Sequence, residues 1–146
     1  MATQYTAGLS SGEVLTAATM NSIGAAWETY APTITNYVPS ASTSKYTRIN
    51  KLVIWEFNSS VSTATAGEIS FTLPVTAATT ITQVGARNYG LFYDASAADS
   101  YILAAFIPTT TTVKFFFANN LTPSVLSGAL LAVTDEVSFT LIYEAA

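Results

Sequence analysis

The sequence predicts an all-β protein, an antiparallel two-sheet β-sandwich with about eight strands, preceded by a short N-terminal helix. Three observations predict it. Beyond Pro32 apolar residues recur at every second position, the period of a strand with one face in a core. Clusters of Asn, Asp, Ser, Thr and Pro bound each run, and no stretch of helical spacing separates one run from the next. Half of the residues are apolar while only 10% are charged, and Thr and Ser supply much of the remaining surface. Threonine is β-branched and suits strands.

A chain of 146 residues is long enough for one core and too short for two. Its organisation reads as an N-terminal appendage with a short helix, 1–30, followed by a sandwich domain, 31–146. In the first part, Ser10-Ser11-Gly12-Glu13 has the spacing of a capping box, and Thr16 is a second candidate N-cap before an alanine-rich run. Ala17, Met20, Ile23, Gly24 and Trp27 then recur at intervals of three and four, which predicts a helix over 16–28. So short a helix is unstable alone in water. Its apolar side, with Leu15, Met20, Ile23 and Trp27 as candidate contacts, must rest on the domain or on copies of the chain.

The strands are predicted at 33–38, 44–49, 51–58, 67–73, 81–93, 99–107, 111–118 and 134–143. Val53, Trp55 and Phe57 share one face, as do Ile69, Phe71 and Leu73, then Val113, Phe115 and Phe117, then Val137, Phe139, Leu141 and Tyr143. Asn50, Asn58-Ser59-Ser60, Pro74, the stretch from Asp94 to Ser100, Pro108-Thr109-Thr110 and Asn119-Asn120 mark the turns. Several strands are apolar on both faces: Leu52 and Ile54 oppose Val53 and Trp55, Ile102 and Phe106 oppose Leu103 and Ile107, and Phe116 opposes Phe115 and Phe117. Outward residues of this kind need a cover. Contacts between subunits would supply it and predict a homo-oligomer; a fold of the loop 119–133 over them is the alternative.

Catalysis is not expected. The chain has no His and no Cys, which removes the common catalytic triads, thiolate chemistry and the zinc sites built on those residues. Of nine carboxylates, only Asp94 with Asp99 and Asp135 with Glu136 are close in sequence, and they read as a solvated turn and the start of a strand. The segment Asp94-Ala-Ser-Ala-Ala-Asp99 lacks the dense oxygen ligands of calcium loops, and the seven glycines form no phosphate-binding motif. No cofactor and no metal are therefore expected.

A net charge of −4 with five basic residues argues against nucleic acid. Lys45, Arg48 and Lys51 do cluster, and they read as decoration of a hairpin turn. Neither a membrane-spanning apolar stretch nor a signal peptide is evident, so synthesis and folding in the cytoplasm without membrane insertion are expected. Eight tyrosines leave one route to specific recognition, since Tyr rings stack on sugar faces beside hydrogen-bonding amides. Tyr37, Tyr89, Tyr93 and Tyr101, with Asn88, Asn119 and Asn120, are the candidates. The competing reading places these aromatics in the core or in a subunit interface.

The segment Gly12-Glu13-Val14-Leu15-Thr16-Ala17-Ala18 with Asn21, followed by Trp27, Tyr30 and Pro32, resembles the opening of small virion proteins of tailed bacteriophages of the minor tail, tail-fibre-like or head-associated type. The hairpin Tyr46-Thr47-Arg48-Ile49-Asn50-Lys51-Leu52-Val53, the motif Leu73-Pro74-Val75, Pro123, and the ending from Phe139 to Tyr143-Glu144-Ala145 are similar to the same group, with Asn50 where such hairpins usually have glycine. The resemblance implies a jelly-roll-like module, usually trimeric, on a virion surface, with no catalytic residue to transfer. On that basis the chain is expected to be a structural virion protein that contacts copies of itself and, through residues 1–30, other virion proteins. A lectin-like adhesin for a host surface glycan or protein and a capsid decoration protein are the alternatives.

Overall fold

A computed structural model describes residues 26–80, 88–119 and 122–146. Among them the chain is all β apart from one 3-10 turn, Gly128–Leu130. The strands are β1 (Glu28–Thr29), β2 (Tyr37–Ile49), β3 (Leu52–Ala64), β4 (Phe71–Thr72), β5 (Tyr89–Asp94), β6 (Asp99–Thr109), β7 (Thr112–Asn119), β8 (Thr122–Val125) and β9 (Glu136–Glu144). They join in one antiparallel sheet in the order β1-β2-β3-β9-β5-β6-β7-β4, with β8 beside β7. Where the sequence predicts two sheets, hydrogen bonding runs through one that curls. Its two ends meet: Thr72 N–H donates to Thr33 O and Thr35 N–H to Ser70 O, both at 3.0 Å, around the bridge Ile34–Phe71.

Several boundaries differ from the sequence reading, for physical reasons. The end of the expected strand 33–38 joins 44–49 in the one strand β2, because Pro39 sits at a bulge where its missing N–H interrupts pairing only locally, while 33–36 contributes only the bridge at Ile34 and turns at Asn36, whose φ is 62°. Asn58-Ser59-Ser60 is strand interior and not a turn. The ladder to β2 on one side and β9 on the other carries it through, and the one inward hydroxyl, Ser59 Oγ, is paired with Tyr37 Oη at 2.7 Å. The region 67–73 forms only the two-residue β4 and isolated bridges. Of the helix expected over 16–28, residues 26–28 are not helical and Glu28 pairs with Tyr46 in β1; the rest lies outside the described residues, as does most of 81–93 before Asn88.

The β2–β3 hairpin turns at Asn50, whose φ of 55° is left-handed, and Arg48 Nε donates to its carbonyl at 2.6 Å. Asparagine adopts this conformation at small cost. The basic cluster is dispersed by pairing: Lys45 faces Glu56 at 3.1 Å and Lys51 faces Glu144 at 3.8 Å.

Inside the curl, Trp55 and Phe57 of β3, Phe139 of β9, Phe71 of β4 and Phe115 of β7 meet, with ring centroids 4.6–6.2 Å apart. Most are edge-on or tilted, arrangements worth about 0.5–1.5 kcal/mol per pair beyond area burial. Two tyrosine hydroxyls are buried with this core. Tyr143 Oη donates to Val75 O at 2.7 Å and accepts from Val75 N–H at 3.1 Å, pinning the segment after β4.

Burial pushes the pKa of both Tyr143 and Tyr37 far above the usual tyrosine range. The folded state therefore holds protons that an unfolded tyrosine gives up near pH 10, so stability present below about pH 10 falls as pH rises beyond it. Alkaline titration followed by tyrosinate absorbance is expected to show these two ionising only as the protein unfolds. Reversible ionisation of every tyrosine in the folded protein would contradict the burial.

Candidate ligand groove on the outer face

The outer face of the sheet is set by strand alternation: wherever an odd residue of β3 or β9 enters the core, its even neighbours point away. Register then assembles rows of side chains from distant parts of the chain. Thr43 stands opposite Asn58, Asn58 opposite Ser138, Ser138 opposite Leu91 and Leu91 opposite Ile102, one residue from each of five strands. In the next row Lys45, Glu56 and Thr140 are neighbours, and the same register puts Tyr89 beside Thr140.

These two rows line an open groove of about 910 Å³. Its β5–β6 wall is apolar, with Tyr89 52%, Leu91 50% and Ile102 63% exposed. Its β2–β3–β9 floor is polar and uncharged overall, since Lys45 and Glu56 are paired. Gly90 sets the depth. A Cβ there would meet Ser138 O and Phe139 Cβ at 2.5 and 2.8 Å, so only glycine lets β5 lie this close to β9.

Of the residues expected to contact a ligand, the structure brings Tyr89 into this groove and leaves Tyr93 exposed on the same face, paired with Glu136. Tyr37 is buried against Phe71, and Tyr101 packs between Phe92 and Phe117 on the core side. Asn88 is buried and its amide is used in joining the sheet: Nδ2 donates to Ile142 O at 3.0 Å, Oδ1 accepts from Ile142 N–H at 2.7 Å, and its carbonyl accepts from Ala105 N–H. Asn119 ends β7, and Asn120, Leu15, Met20 and Ile23 lie outside the described residues. Trp27 lies under the ammonium of Lys45, 4.7 Å from its ring centroid. The sequence reading missed Thr43, Asn58, Ser138 and Thr140. Their only signal is a polar residue at each outward position of a strand.

The carboxylates do other work. Asp94 Oδ1 accepts from Ser96 Oγ, Ser96 N–H and Ala97 N–H, which shapes the β5–β6 turn and, chiefly through the Ser96 hydroxyl, holds the Asp94 carboxyl below the usual range. Asp135 is buried and accepts backbone N–H bonds from Ala95 at 3.0 Å and Ala132 at 2.8 Å. Among the described residues, no three carboxylates gather where a metal ion could be held. No helix among them is long and apolar enough to cross a membrane.

Family models, curated proteins and solved structures all return no match to this chain.

A second outer-face feature lies at the hairpin end of the same strands. Ile49 faces Leu52 and Ile54 faces Ile142, giving a four-residue apolar patch. The Lys51–Glu144 pair borders it on one side and the Lys45–Glu56 pair on the other. The loop 119–133, the alternative cover for outward apolar residues, does not lie over Ile102: β8 extends the sheet beside β7, Leu126 enters the core, and Ile102 is exposed.

Proposed function

We propose that this chain is a non-catalytic structural protein of a tailed-bacteriophage virion, working as a homo-oligomeric, trimeric surface module. One observation carries the oligomer: Ile49, Leu52, Ile54 and Ile142 form a contiguous apolar patch bordered on two sides by ion pairs, resembling a subunit contact with an apolar centre and polar rim. The virion assignment and the trimeric state rest on the resemblance in the N-terminal segment and the hairpin. In this reading the curled sheet is the two-layered, jelly-roll-like sandwich of such modules. Contacts of Phe57 and Phe139 with Phe71 and Phe115 across the interior support that description. In the same reading the segment before β1 docks the module on the particle.

Light scattering after size-exclusion chromatography tests the oligomer. The wild-type protein is expected to be multimeric at micromolar concentration, and Leu52→Asp combined with Ile142→Asp is expected to give a folded monomer. Both side chains are exposed, so the core is untouched. A monomeric wild type, or an unchanged oligomer in the double variant, removes this interface. Electron microscopy of gold-labelled particles tests the location: label on the tail or spread over the head supports a virion role, and particles without label refute it.

A further inference from the structure

We infer that the outer-face groove between β2 and β6 binds a neutral oligosaccharide. Tyr89, half exposed in the groove, supplies an aromatic ring of the kind that a sugar's C–H surface packs on, and Leu91 and Ile102 extend that apolar wall. Opposite it, the side chains of Thr43, Asn58, Ser138 and Thr140 make no hydrogen bond among the described residues, so their hydroxyls and amide are free for ligand hydroxyls.

The pattern of charge chooses the ligand class. Lys45 and Glu56 neutralise each other at 3.1 Å, leaving nothing to favour a phosphate, a carboxylate or a cation. Five strands at the usual spacing give the groove a span of about 19 Å, room for several sugar units. A second copy of the chain is a poorer occupant, because its apolar surface would bury these free polar groups without partners, at a cost of about 1–3 kcal/mol each. The patch at Ile49, Leu52, Ile54 and Ile142 carries no such penalty, so subunit contact and sugar binding use different parts of one face.

An array of neutral oligosaccharides built from hexoses and N-acetylhexosamines tests the inference, with the retained compound then titrated by calorimetry. Tyr89→Ala is expected to weaken binding by about tenfold or more and Asn58→Ala by several-fold, while Tyr89→Phe keeps most of it. The Leu52→Asp, Ile142→Asp variant is expected to keep the affinity per site, which separates this inference from the oligomer. Silence across the array overturns it. So does binding that survives both Tyr89→Ala and Asn58→Ala in proteins with wild-type circular dichroism.

Discussion

Truncation of Phe71 to alanine is expected to destabilise the protein by about 3–5 kcal/mol, the usual range for removing a buried phenylalanine. Phe71 is the ring on which both sides of the curl close. Tyr37, Phe57, Phe115 and Phe139 all approach it, with centroids 5.2–5.9 Å away, and it is fully buried. It also sits in β4, a strand of two residues; Thr72 of that strand bonds to Thr33 and Ser70 just before it bonds to Thr35, and these bonds join the ends of the sheet. So short a strand cannot be held by its ladder alone; the ring anchors it. Loss of the ring should therefore open the seam as well as leave a cavity. Chemical denaturation of Phe71→Ala measures the cost, and amide exchange at Thr35 and Thr72 should rise more than exchange at Trp55. A loss under about 1 kcal/mol would show that closure does not depend on this ring.

Period-two alternation made the inward faces of β3, β7 and β9 legible, because a large apolar residue at every second position has one physical explanation over such lengths. What the alternation hides is adjacency. The sheet places β9 between β3 and β5, a pairing of segments some eighty residues apart, and no local pattern encodes which edge a late strand will choose. Turn signals misled at Asn58-Ser59-Ser60 because small polar residues are turn formers only when the backbone lacks other partners. Here two neighbouring strands supply them. The strand β8 was hidden for the opposite reason: a four-residue segment containing Pro123 reads as loop, yet β7 offers it an edge.

The groove was legible only in part. Tyr89 is exposed and aromatic, the type of residue that sequence reasoning selects, whereas Tyr37 and Tyr101 look the same in sequence and are separated from it only by which strand face they occupy. Asn88 illustrates a different failure. An amide next to tyrosines reads as a ligand contact, but a carboxamide also carries the donor and acceptor of a peptide group, and here it substitutes for one in joining β9. Polar residues such as Ser138 and Thr140 carry no individual signal, since they become a surface only when register brings them beside Asn58 and Tyr89.

Asp135→Ala is expected to cost about 2–4 kcal/mol, and for a reason opposite to catalysis. Its carboxylate is buried and holds two backbone N–H groups from separate turns, Ala95 of the β5–β6 hairpin and Ala132 before β9. Its main chain holds a third element, accepting from Val61 N–H at 2.8 Å, while Thr134 N–H donates to Val61 O. Alanine leaves both turn amides, which lie at part-buried positions, without their acceptor, and hydrogen bonds to a charged acceptor are each worth about 1.5–3 kcal/mol. Asparagine keeps one acceptor oxygen and turns an NH2 group toward the other amide, so Asp135→Asn should recover part of the loss but not all. Urea denaturation orders the three proteins as wild type, then Asn, then Ala. Equal stability of Asp135→Ala and wild type would free this carboxylate from its structural role and reopen the question of what chemistry it serves.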